Sequence, residues 1–221
     1  MLEVTTFGAT LGRLVNTSER YSFSFIAGAL FVAESAAVVP LLAQGKNWDE
    51  IEVVAARDNL LKSRTSASQV RLLREIKYRL SVLTEAEVDF LIGAGNQDLR
   101  ALLFIGICRH FSFVRQFVVT VLRPKALALD FQVMPSDFTG FLHRESREHP
   151  EIEALTDKSV AKIRQVLFRM LAEASLVDST RGLLLTPLIP SRALAKVVAK
   201  SDANQLRWLL VADADIRHLT H

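Results

Sequence analysis

Cysteine is almost absent from the chain: Cys108 is the only one in 221 residues, which excludes an internal disulfide and a thiolate cluster for a structural metal. Cys108 follows the apolar run Leu102 to Ile107, so a buried, inert thiol is expected in a reducing compartment. Glycine (9) and proline (6) are also scarce, which disfavours a turn-rich β-sandwich and suits helices joined by short connections. Neither sign of charge prevails, since 27 Lys and Arg against 24 Asp and Glu leave a net +3. A nucleic-acid partner therefore has to be argued from local clustering rather than bulk charge.

Long uncharged apolar runs are missing too. Phe25 to Ala43 is broken by Glu34 and Pro40, and Leu99 to Leu122 by Arg109, His110 and Arg115, so neither reads as a span and no membrane partner is expected. The first twenty residues carry Arg13, Glu19 and Arg20 and lack a signal-peptide pattern, which points to the cytoplasm. The histidines at 110, 143, 149, 218 and 221 are scattered, with no H-E-x-x-H spacing. Gly93-Ala94-Gly95 is not a dinucleotide fingerprint, and no Walker-type Gly-Lys-Ser/Thr occurs. Glu34 reads as a lone acid that caps or pairs. No catalysis, metal, cofactor or small-molecule substrate is expected.

What is present is helical periodicity. Half of the residues are hydrophobic, enough for a substantial core at this length. A small-residue helix is expected over Ala27 to Ala43, closed by Gly45. A second follows the Asn47/Glu50 capping pair and runs to about Asn59. A third places Val70, Leu73, Ile76, Leu80 and Leu83 on one side, and Thr84 caps a fourth. A long apolar helix starts at Asn96 or Gln97 and ends near Arg109 or His110, and another covers Phe113 to Leu122 with Pro124 as its stop. The pattern weakens between Ala126 and Pro135, which divides the chain into a helical bundle over 1–134 and a second part over 135–221.

That second part reads as a winged helix-turn-helix. One helix runs from Ser136 or Asp137 to His149-Pro150, a short one covers Glu151 to Leu155, and a third, capped by Thr156 or Asp157, carries an apolar stripe from Val160 to Ala174. Its other face is a polar ridge of Lys158, Lys162, Gln165 and Arg169 with Ser159 and Arg164 beside it. Leu176-Val177, the turn Asp178 to Gly182 and Leu183 to Thr186 then read as a short β-hairpin, with Arg181 at its tip. Three helices and a hairpin place the third helix in a major groove and the wing arginine on backbone phosphate or in the minor groove. The same architecture also serves for protein docking, so both readings stay open.

A second basic stretch lies upstream, where Arg57, Lys62, Arg64, Arg71, Arg74, Lys77 and Arg79 are offset only by Asp58 and Glu75. With Val70, Leu73, Ile76 and Leu80 inward, Arg71, Arg74 and Lys77 face out, either to neutralise phosphates or as an ordinary solvated face with pairs such as Arg71 with Glu75.

The run Tyr21 to Leu30 with Glu34, the stretch Asn59 to Arg71, Ile107-Cys108-Arg109-His110-Phe111, and Lys162 to Leu171 with Glu173-Ala174 together resemble the BrxA family. The resemblance spans about Tyr21 to Pro190. It implies a component of the BREX bacteriophage-exclusion system, an all-helical part similar to the antitermination factor NusB, a winged-helix part, binding to double-stranded DNA, and other BREX proteins as partners. The function expected is non-catalytic DNA binding; the contact residues are offered by the helix and loop geometry rather than by the resemblance, and are Lys158, Ser159, Lys162, Gln165, Arg169, Arg181, Lys62, Arg64, Arg71, Arg74 and Lys77. The alternative is a docking adaptor for other defence proteins. RNA binding ranks behind both, because aromatic stacking platforms are lacking.

Overall fold

The structure, a computed structural model, describes residues 20–220; the readings made on the amino-terminal segment before Arg20 and on His221 lie outside them. The described chain is mainly helical, as composition and periodicity led us to expect.

Local capping chemistry starts most of the early helices. In α2 (Trp48–Asp58) the Asn47 Oδ1 accepts from Glu50 N at 3.0 Å while Asn47 N donates to Glu50 Oε2 at 2.8 Å, a reciprocal box. Thr65 caps α3 (Ser66–Leu80), and Thr84 with Glu87 forms a second box at the head of α4 (Glu85–Gly93). The helix before them, α1 (Val32–Ala43), begins later than Ala27, because Ser24–Ala27 winds into a 3-10 turn and Phe31 sits at a left-handed φ of 56°. Gly28 makes this entry feasible: a Cβ there would meet the Phe31 ring at 2.2 Å.

The apolar helix α5 (Asn96–His110) is buried on nearly every side from Leu99 to Cys108 and forms the centre of the bundle. After a sharp bend at Phe111 it is followed by α6 (Ser112–Leu127), which leaves it at 110°. Pro124 does not stop this helix, contrary to expectation. A π-helical segment over Val118–Leu122 lets Arg123 N donate to Val118 O, and this wider turn absorbs the bond that proline cannot make. No single helix among the described residues is long and apolar enough to cross a membrane.

Beyond Pro135 come α7 (Pro135–Glu145), α8 (Pro150–Glu153) and α9 (Asp157–Glu173). A phenylalanine cluster fastens α7 and α9 to α6. Phe117 lies 5.2 Å from Phe141, 5.9 Å from Phe138 and 6.2 Å from Phe168, ring centroid to ring centroid. Such aromatic pairs contribute about 0.5–1.5 kcal/mol each beyond their buried area. The tail consists of α10 (Arg192–Asp202), a 3-10 helix (Ala203–Leu209) and α11 (Asp213–Thr220). It folds back on the bundle, with Leu206 and Leu209 fully buried and the 3-10 helix against α5. An ion pair buried on its carboxylate side clasps it there: Arg109 grips Glu87 through both oxygens at 2.6 and 2.7 Å, and its Nε and Nη2 donate to Gln205 Oε1 at 2.9 and 2.7 Å.

The expected β-hairpin is corrected. Among the described residues there is no strand; Val177 pairs with Leu185, and Leu184 with Gln132, only as isolated antiparallel bridges. Backbone geometry explains why the ladder cannot lengthen: Ser175 and Leu183 take left-handed φ values of 60° and 52°, one at the near end and one inside the return segment.

Candidate nucleic-acid interface

Helix α9 is built as an amphipathic rod. Thr156 Oγ1 caps it by accepting from Ser159 N at 3.2 Å, and Ile163, Val166, Leu167, Met170 and Leu171 face the core. Phe168 is buried as well, between Phe117 and Phe138, although the periodic stripe did not include it. The opposite ridge is exposed at Lys158, Lys162, Arg164, Gln165 and Arg169, with Ser159 half-buried. Lys162 Nζ donates to Gln165 Oε1 at 3.2 Å, so these two side chains stand side by side along the helix. Lys158, Lys162 and Arg164 form no ion pair among the described residues. Arg169 differs. Its side chain is 63% exposed, yet its Nε donates to Glu173 Oε1 at 2.8 Å, which partly neutralises the last cation of the ridge.

The loop after α9 is held rigidly by one carboxylate. Asp178 Oδ1 accepts from Ser179 N at 2.6 Å and from Leu184 N at 2.8 Å, closing the turn across six residues. Gly182 N donates to Ser179 Oγ at 2.8 Å, and Gln132 Nε2 ties Gly182 O to the segment before α7 at 2.8 Å. A Cβ at Gly182 would collide with the Asp178 carboxylate, so glycine leaves that side chain its place in the turn. Arg181 stands exposed at the tip, with no ion pair among the described residues. The side-chain scaffold thus presents a cation where β-ladders were expected to do so.

In α3, Arg71, Arg74 and Lys77 are exposed, as the spacing predicts, and Lys62 and Arg64 are exposed in the segment before it. Lys77 Nζ lies 5.8 Å above the Trp48 ring, a cation–π contact that holds its stem along α2. Two details are corrected. Val70 is 46% exposed rather than in the core, and Gln69 turns inward instead. Glu75 pairs with Arg79 at 3.0 Å rather than with Arg71. Arg79, counted in the basic stretch, is in fact 1% exposed. Its Nε donates to Ala29 O at 3.0 Å and its guanidinium lies 4.7 Å from the Phe31 ring centre. Burial lowers its pKa from the ordinary arginine value, with Glu75 acting in the opposite direction. It is a structural cation, and its i+3 spacing from Ile76 on the buried side is the signal that pattern counting passed over.

Cys108 is buried, and burial raises its thiol pKa, so it stays protonated and inert. Among the described residues no three His, Cys, Asp or Glu side chains gather as a metal site.

Comparison with known proteins adds to this geometry. A "BREX protein BrxA" from Escherichia coli O9:H4 (strain HS) is 21% identical over 168 residues, covering 76% of this chain and 79% of the relative. Another "BREX protein BrxA", from Bacillus cereus (strain H3081.97), is 22% identical over 157 residues, covering 69% and 76%. The crystal structure of an uncharacterized protein from Magnetospirillum magneticum superposes with a TM-score of 0.74 over 86% of this chain and 98% of that one; at 16% identity the likeness is one of fold. The profile of the BrxA family matches residues 19–202, most of the chain, and the protein belongs to the BrxA family.

Proposed function

We propose that this chain is a non-catalytic component of a BREX phage-exclusion system, working in the cytoplasm, that binds double-stranded DNA. Helices α7, α8 and α9 serve as the helix-turn-helix, with the Asp178-braced loop in the place of a wing and the NusB-like helical bundle carrying the second basic surface on α3. The observation that supports this most is the set of exposed cations at Lys158, Lys162 and Arg181 that form no ion pair among the described residues, on one helix and the loop directly after it. Cations so placed neutralise backbone phosphate and release counterions, giving affinity with little base selection.

A mobility-shift titration with several unrelated duplexes tests the reading. Lys162→Glu is expected to weaken all of them alike, and RNA is expected to compete poorly. The absence of any shift at low salt refutes DNA binding.

A docking adaptor for other BREX proteins is the second reading, and one observation favours it. Leu129 and Ile189 are 75% and 77% exposed beside an apolar groove that also includes Leu127 and Leu219. Under that reading a pulldown recovers a BREX protein after nuclease treatment, and Lys162→Glu leaves the recovery intact.

A further inference from the structure

A third cationic site lies away from these surfaces, where the start of α6 meets the end of α7. A cavity of about 550 Å³ there is lined by Arg115, Arg144 and Arg147 together with Ser112, Gln116 and Thr120. Arg144 and Arg147 are exposed and form no hydrogen bond or ion pair from their guanidinium groups among the described residues. Arg115 spends one donor, Nη1, on Cys108 O at 2.9 Å and keeps the others. Ser112 belongs to the first turn of α6, which has no side-chain cap.

Two carboxylates also line the cavity and have to be accounted for. Glu145 is engaged elsewhere: its Oε2 accepts from the Tyr21 hydroxyl and lies 3.9 Å from His149 Nε2. Glu148 stands four residues after Arg144, the spacing of a helical ion pair, yet the pair is not formed. The wall beside them is fixed, since Tyr21 stacks on His149 at 3.7 Å and donates its backbone N–H to Glu151 Oε1 at 2.6 Å. Arginines converging with hydroxyl and amide donors on one concave site match the geometry of a phosphate group, which takes several charge-assisted bonds at once.

We infer that this cavity is a phosphate-binding site, distinct from the α9 and α3 surfaces, for a phosphomonoester or a phosphodiester. Its source is either a free nucleotide or the DNA backbone, and the two are separable. Calorimetry at low ionic strength titrates the protein with inorganic phosphate and with a 5′-mononucleotide, and a parallel salt series measures duplex affinity. The variant carries Arg144→Gln and Arg147→Gln, both at exposed positions, so folding is preserved.

If the ligand is free, the variant binds phosphate or the nucleotide about tenfold more weakly or not at all, while Lys162→Glu changes nothing. If the phosphates belong to DNA, the variant lowers the log–log salt slope of duplex binding by about two. A variant that alters neither measurement overturns the inference. Loss of phosphate binding in the variant, with no duplex binding by the wild type, upholds this site while refuting the DNA reading.

Discussion

Glu173 holds Arg169 with one carboxylate oxygen and the backbone of Leu30 with the other, Oε1 accepting from Arg169 Nε at 2.8 Å and Oε2 from Leu30 N at 2.7 Å. One residue earlier, Ala29 O accepts from the buried Arg79 of α3 at 3.0 Å. The end of α9 is therefore joined to α3 through a single peptide unit, the one that links Ala29 to Leu30. Glu173 acts both as a strut of the fold and as the one acid, among the described residues, bound to the proposed DNA-binding ridge.

Glu173→Gln is expected to change stability and duplex binding in opposite directions. The neutral amide keeps an acceptor for Leu30 N but weakens it, so chemical denaturation reads a loss of about 1 kcal/mol. Released from its acid, Arg169 strengthens duplex binding severalfold at low salt. If binding falls along with stability, Arg169 is not part of the contact surface.

Gly182→Ala forces Asp178 off its two backbone donors, for an expected loss of about 1–3 kcal/mol by denaturant titration. Duplex binding weakens too, because Arg181 no longer has a fixed base. In an Asp178→Ala background the same glycine change costs much less. Full additivity of the two substitutions shows that Asp178 does not set the loop.

Glu87→Ala leaves Arg109 unpaired behind the tail, where the carboxylate had no solvent exposure and the guanidinium side chain only 13%. Removing one partner of a buried pair costs about 3–5 kcal/mol. Hydrogen exchange is expected to show the segment Ala203–Leu209 losing protection first. Unchanged protection there means that the tail is held by Leu206 and Leu209 alone.

Acid is expected to loosen α11 before the bundle. The hydrogen bond from Arg207, together with the charge of Arg123, holds the exposed Asp213 carboxyl below its ordinary value against a slight desolvation. A carboxylate depressed in the folded state stabilises fully above its unfolded pKa of about 3.9, and that contribution is lost as pH falls through the lower folded value. Amide protection in Asp213–Thr220 is therefore acid-sensitive, and Asp213→Asn removes that sensitivity by making protection low at all pH values. An acid response that persists in the variant places the titrating group elsewhere.

Helix positions were legible wherever side chains close their own caps, as at Asn47, Thr84 and Thr156, because those bonds span three residues and show in the spacing. The exposed cations of α9 and α3 were legible for a similar reason: a strong apolar stripe fixes which face is left over. What pattern reading missed depends on partners far away in sequence. Arg79 looks like one more surface cation until Ala29 and Phe31 come round to meet it, and Pro124 looks like a stop until the π segment widens the turn. The hairpin failed because Asp178 takes the Leu184 N–H with its side chain as the loop closes.

The most direct test of the account is the salt dependence of duplex affinity, followed by fluorescence anisotropy for the wild type and for a Lys158→Ala, Lys162→Ala, Arg181→Ala triple variant. The account predicts a steep log–log slope for the wild type and one shallower by about 3 for the variant, the same on unrelated sequences. Equal slopes for the two proteins, or no binding by either at low salt, contradict it.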